Sequence, residues 1–236
     1  MKTLFTKGEA NAKTKKSDKA GRGYLTMLLH LAPAKESGFE MCSSRSKGCT
    51  IACLYTAGRG RMDNTKNARI ARTIMWVQER EKFKAQIVKE LTAFVKRCDK
   101  LGMLPAIRMN GTSDIIWEKV WPSLFTDFPN IQFYDYTKHV KRCKDNWVIP
   151  ANYHLTFSRS ECNDKECVEV LNSGRFNIAA VFDKKNFPSE WKGYQTYSAD
   201  ETDLRFLDPS GGKVGCLYAK GDGKKDKTGF VLPVLQ

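Results

Sequence analysis

The sequence predicts an α/β chain: a partial (β/α)6 TIM-like barrel with a parallel sheet and a cysteine-rich loop after the first core strand. Three observations carry this. Short apolar runs alternate with helix-like stretches through residues 24–236, the pattern of strand–helix–strand units. Polar residues gather directly after those runs, where the carboxyl ends of parallel strands share one face. Where a glycine-rich phosphate loop would follow the first run, three cysteines stand instead.

Residues 1–23 carry Lys13, Lys15, Lys16 and Lys19 and no apolar segment of the secretory kind, so they read as a basic flexible N-terminal arm. Residues 24–236 read as a single α/β domain. The run 24–33 closes at Pro33 and predicts a buried strand. In residues 64–101, Ile70, Ile74, Val77, Phe83, Ile87, Leu91 and Phe94 recur mostly at three- and four-residue spacing. They predict an amphipathic helix, broken once and ended by Gly102. Further strands are expected at 104–110, 131–136, 153–157, 176–182 and 214–218. Helices are expected at 114–128, stopped by Pro129, and at 165–171, stopped by Gly174.

With 41% hydrophobic and 28% charged residues, a chain of 236 residues can build its core without covalent staples. Its eight cysteines therefore read as core thiols or ligands in a reducing compartment rather than as disulfides. No apolar run reaches the length of a membrane span. Forty Lys and Arg against 26 Asp and Glu leave +14, partly concentrated in Lys220, Lys224, Lys225 and Lys227, which points to a nucleotide or nucleic-acid partner. Solubility alone is the competing account of that charge.

The cysteines of the loop are Cys42, Cys49 and Cys53, separated by six residues and then three. Its other members, Ser43, Ser44, Arg45, Ser46 and Lys47, are too polar to fill a core, and Arg45 and Lys47 would stabilise thiolates. A [4Fe–4S] cluster held by these three cysteines, with one iron left open, is the first expectation. Structural zinc is the alternative, with Cys162 and Cys167 as remote completing ligands. Three unrelated buried thiols are the third account. Cys98 and Cys216 are expected in the core.

The strand ends supply the other candidates. Arg108 and Asn110 alternate along one strand end with Asp114 nearby, and a buried Arg beside an Asp calls for a partner or a ligand. Asp135 and Lys138 follow the next strand, and Ser158, Arg159 and Glu161 the one after. Arg108, Asp114, Asp135 and Lys138 are assigned to catalysis and ligand positioning. Asn110, Thr112, Ser113, Ser158, Arg159 and Glu161 are assigned to cofactor binding. Each group has a plain structural account too: Thr112 or Ser113 as a helix cap, Asp135 and Lys138 as an ion pair, 158–161 as a solvated loop.

Segments 42–60, 108–118, 133–138 and 155–161 together resemble the bacteriophage gene product 88 family, across residues 24–232. That resemblance implies action in the bacterial host cytosol during phage infection and no settled activity. A more distant resemblance is to radical S-adenosylmethionine enzymes, whose partial barrel carries three cysteines after strand one. It implies S-adenosylmethionine as a cofactor, with residues 110–114 near its amino group and 158–161 near its ribose. That superfamily spaces its cysteines by three and then two. The expected function is thus a phage iron–sulfur enzyme of the radical S-adenosylmethionine type, acting on a nucleotide or nucleic acid. The alternatives are a non-catalytic nucleic-acid-binding protein with structural zinc or iron–sulfur, and a phage protein that binds a host factor.

Overall fold

A computed structural model describes residues 3–8 and 23–234. Its centre is a ten-stranded sheet, mostly parallel. In chain order the strands are β1 (Phe5–Lys7), β2 (Tyr24–Leu29), β3 (Leu104–Arg108), β4 (Gln132–Thr137), β5 (Tyr153–Ser158), β6 (Ile178–Phe182), β7 (Glu190–Trp191), β8 (Tyr194–Ser198), β9 (Val214–Tyr218) and β10 (Val231–Leu232). They lie in the order β1-β2-β3-β4-β5-β6-β9-β8-β7. β10 runs parallel to the end of β6, against Val181 and Phe182, where pairing with β5 has stopped.

The mixed α/β expectation holds and the TIM-like barrel does not. The sheet stays open, with β1 and β7 at its ends. β1 covers one edge antiparallel to β2, while β8 and the β7–β8 hairpin extend the other beyond β9. The hairpin turns at Lys192 (φ 51) and Gly193 (φ 81), a left-handed pair that suits a two-residue turn. Within residues 3–8, β1 packs onto the rest of the fold. Leu4 and Phe5 are buried, and their N–H groups donate to Glu90 at 2.7 and 3.0 Å. Lys13, Lys15, Lys16 and Lys19 lie outside the described residues.

The helices are α1 (Lys47–Ile51), α2 (Asp63–Gln78), α3 (Arg80–Lys100), α4 (Trp117–Val120), α5 (Ser123–Asp127) and α6 (Asp164–Asn172). The predicted break falls at Glu79, whose backbone leaves helical values (φ −127, ψ 49) between α2 and α3. α3 buries Phe83, Ile87, Leu91, Phe94 and Cys98, one stripe at helical spacing. The helix expected over 114–128 forms as two short pieces. Trp121 precedes Pro122 and is forced out of the helical region (φ −153, ψ 68). Its start is delayed to Trp117 because Asn110 Oδ1 accepts from the Ile115 N–H and from Trp117 Nε1.

Strand alternation divides the buried residues. Met27, Ile107, Phe133, Leu155 and Ile178 join the large core with the helices. Ala106 and Tyr134 belong to a small second cluster with Leu204, against which Tyr24 and Phe206 pack. Polar residues, among them Thr26, Arg108 and Thr156, share that second face with apolar Leu28 and Ala179.

Candidate functional site

The cysteine loop stands over the carboxyl edge of the sheet and is anchored from several strands. Ser46 caps α1 by accepting the Cys49 N–H at 3.0 Å. Glu161, just past β5, accepts from Ser46 Oγ at 2.7 Å and from the Gly48 N–H at 2.6 Å. Arg45 binds Glu40 at 3.1 Å and Thr50 at 2.9 Å, and its guanidinium feels Cys42 and Cys49. Ser44 bonds His139 Nδ1 at 2.8 Å, and the Asp114 N–H donates to the Met41 carbonyl at 2.9 Å. Lys47 is exposed.

All three thiols are free and half-buried, and they lie within electrostatic reach of one another. Burial pushes the Cys42 thiol up to about 12, reinforced by Cys53, Asp114 and Cys49. Burial likewise pushes Cys53 up to about 11, with Cys49 adding to it and Lys138 and Arg69 opposing. As free groups both are protonated at neutral pH, so loss of these protons needs a cationic partner. Among the described residues no group of three or more His, Cys, Asp or Glu is arranged to hold a metal ion. Cys167 is buried on α6 against Asn163 at 3.6 Å, and Cys162 is exposed beside Ser160. Cys98 and Cys216 are core residues, as expected.

The predicted site residues converge on this edge, but most have partners inside the protein. Asn110 donates its backbone N–H to Asp135 Oδ1 at 2.6 Å and its amide to Ile115 O at 2.9 Å, while Ser113 donates to its Oδ1 at 2.9 Å. Thr112 donates to Leu31 O at 2.5 Å. Arg159 binds Asp164 at 2.8 Å and the Phe230 carbonyl at 3.0 Å. Asp114 accepts from the Lys138 N–H at 2.7 Å and faces Arg142 at 3.6 Å. Lys138 Nζ reaches Ser158 Oγ at 2.7 Å, so Asp135 is not its ion partner; Asp135 takes Tyr153 OH at 2.7 Å and the Asn110 N–H instead. Arg108 and Asn110 likewise part company: Arg108 pairs with Asp203 at 3.2 Å and lies over Tyr136 at 4.7 Å.

The second face of the sheet holds a polar chamber in the sense of a cluster of buried polar side chains, which sequence reasoning missed. Six buried polar atoms there have no partner: His30 Nδ1, Arg108 Nε, the Tyr136 hydroxyl, His154 Nε2, Thr156 Oγ1 and Arg205 Nε. Tyr136 and Thr156 are neighbours across the β4–β5 register, as are Tyr134 and His154. Burial, helped by Arg69, Arg108 and Arg72, brings His30 down to about 3; burial and Arg205 bring His154 down to about 4. Both imidazoles are therefore neutral and offer one donor and one acceptor nitrogen. Arg69 connects the two features, since its charge acts on both His30 and Cys53. The signal available in sequence was alternation along β4 and β5. Asp203 and Arg205 sit in an irregular segment with no such pattern.

No helix among the described residues is long and apolar enough to cross a membrane. No curated protein and no solved structure matches the chain. Nothing in these comparisons supports the likeness to radical S-adenosylmethionine enzymes. The family model described as Gene product 88 does match, over residues 3–233, a span that takes in the cysteine loop, every strand of the sheet and the chamber. The chain belongs to the gene product 88 family.

Proposed function

We propose that this is a bacteriophage iron–sulfur enzyme whose Cys42, Cys49 and Cys53 hold a [4Fe–4S] cluster at the carboxyl edge of the sheet. The observation that carries the reading is one loop offering three half-buried thiols to a common region, with Arg69 and Lys138 beside Cys53 to offset negative charge. Zinc is the alternative metal, because thiolates from one loop suit either group. When bound, a cluster with three protein ligands supplies one iron open to a small ligand.

The chain's own residues do the rest. Glu161 and Ser46 fix the start of α1 so that Cys49 keeps its place. Asp114 ties the loops after β3 and β4 to the cysteine loop. The chamber offers donors and neutral imidazoles to a polar substrate, in this reading a nucleotide or a nucleotide of a nucleic acid, in the host cytosol. S-adenosylmethionine is the organic cofactor of this reading. Its expected holders Asn110, Thr112, Ser113, Ser158, Arg159 and Glu161 are already bonded internally, so no step is derived through it.

Anaerobic purification with iron, sulfide and zinc assays tests the reading. Roughly four irons with sulfide and absorption near ~400 nm are expected. Cys42→Ala, Cys49→Ala and Cys53→Ala should each lose iron while staying folded. Zinc in stoichiometric amount, or no metal, would overturn it. Reduced, reconstituted protein that leaves S-adenosylmethionine intact would remove that cofactor. The second reading, a non-catalytic nucleic-acid-binding protein with structural zinc or iron–sulfur, is favoured by exposed Lys184, Lys185, Lys224, Lys225 and Lys227 in the loops after β6 and β9. It expects chelation to unfold the chain.

A further inference from the structure

The chain folds 221–230 over the cysteine loop, and the other side of that segment is one wall of a cleft of about 490 Å³. The packing on the cysteine side is close. A Cβ at Gly48 would stand 2.7 Å from Phe230 Cβ, and one at Gly223 would stand 3.6 Å from Ala52 Cβ. The cleft floor is Tyr218, at the end of β9. Lys185 and Lys224 hold their ammonium groups 5.5 and 5.4 Å from its ring centre, and Lys227 joins the lining.

The two carboxylates of the cleft, Asp183 and Asp226, offset only part of this charge, and their hydrogen bonds are made within the fold rather than to the lysines. Asp183 accepts from the Val234 N–H at 2.9 Å. Asp226 accepts from Thr228 Oγ1 at 2.7 Å and the Val231 N–H at 3.0 Å. Lys184, Lys185, Lys224, Lys225 and Lys227 are all exposed, and among the described residues none forms an ion pair. Five like charges on two adjacent loops repel one another, an arrangement that a polyanion relieves.

We infer that this cleft is the track for the phosphodiester backbone of a single-stranded nucleic acid. A strand fits better than a free nucleotide. The cations are spread along two exposed loops rather than focused on one phosphate, and no buried Arg fork clamps a terminal phosphate there. The aromatic floor gives a base a face to lie on when the strand displaces a lysine. The inference deepens the nucleic-acid part of the proposed function by naming where the strand runs, beside the wall that carries the thiols.

Fluorescence anisotropy with a labelled oligothymidylate of about 20 nucleotides, over a salt series, tests it. The variant Lys185→Gln/Lys224→Gln/Lys227→Gln is compared with Lys89→Gln/Lys96→Gln/Lys100→Gln, which removes three exposed lysines from α3. The cleft variant should bind at least roughly tenfold more weakly than the α3 variant, and its log–log salt slope should flatten by about 2. Equal weakening of both variants, or no binding by the native chain, overturns the inference. So does displacement of the strand by ATP at equal phosphate concentration. Iron content is read separately, so loss of strand binding with metal retained sinks the track and leaves the metal centre standing.

Discussion

Glu161→Ala should loosen the cysteine loop, and the size of the effect follows from two bonds. The carboxylate accepts from Ser46 Oγ at 2.7 Å and from the Gly48 N–H at 2.6 Å. Burial alone would raise its pKa, yet these bonds outweigh it and hold the carboxyl below its ordinary value. The Ser46 hydroxyl is half-exposed and regains water when Glu161 is removed, so its loss costs little. Gly48 is buried, and an orphaned N–H there costs about 1–3 kcal/mol. The expected loss is therefore roughly 1–3 kcal/mol, or about 2–12 °C in melting temperature for a chain of this length. Because the folded pKa is depressed, the stabilisation is present above about pH 4.3 and fades as pH falls through the folded value. The gap between native and variant should thus be full at neutral pH and shrink on acidification. Calorimetry at both pH values reads this, and alkylation of Cys49 should accelerate in the variant at neutral pH. A variant that melts within about 1 °C of the native chain at neutral pH would refute the argument.

Three further outcomes are expected. Asp135 is pushed up to about 7, by burial first and against the bonds from Tyr153 and Asn110. A carboxyl raised on folding costs stability as pH climbs from about 4 towards 7. Urea titrations should show that loss in the native chain and a flatter profile in Asp135→Asn; identical profiles would count against it. Asp203→Ala leaves Arg108 buried without its carboxylate and Tyr134 without its acceptor, a loss of roughly 3–5 kcal/mol. The double variant with Arg108→Met should recover much of that loss, and a double variant as unstable as the single would refute the pairing. Gly48→Ala places a Cβ 2.6 Å from Glu161 Oε2 and 2.7 Å from Phe230 Cβ, so residues 228–230 must move. Trypsin should then cut faster after Lys224, Lys225 and Lys227, and unchanged cleavage would mean the wall does not rest on α1.

What could be read from sequence was whatever rests on period and punctuation. The stripe Phe83, Ile87, Leu91, Phe94 marked α3, and short apolar runs marked β2 to β6 and β9, because burial on one helical face or inside a parallel sheet demands such residues. β7, β8 and β10 were missed. They are short and half-exposed, and β10 exists only because β6 outlasts β5, which is a property of the assembled sheet. The crowding of polar residues at the carboxyl edge was legible, but their employment was not. Asn110 looks like a ligand residue in sequence and is a joint in the fold, taking Ser113, Ile115 and Trp117 on one oxygen. His30, one position past β2, leaves a ring nitrogen unpartnered in the chamber, and no spacing in the sequence marks it.

The three features of this edge are linked through side chains that each serve two of them. Arg69 bears on Cys53 and on His30, so charge on the thiol side is felt in the chamber. Lys138 bears on Cys53, bonds Ser158 and lies 5.5 Å over the ring of Phe230. Phe230 is in turn one of the residues, with Thr228 and Glu161, that a side chain at position 48 would strike. A change at the thiols therefore has a short physical path to the chamber through Arg69 and to the cleft wall through Lys138 and Phe230. Coupling of this kind requires contacts that can shift together, and packed contacts of this sort meet that requirement where a long solvated loop would not. Exchanging Phe230 for Leu keeps the wall apolar but removes the ring beneath Lys138. If the path is real, that change should alter strand affinity and the alkylation rate of Cys53 together, whereas movement of only one would show that the cleft and the thiols act independently.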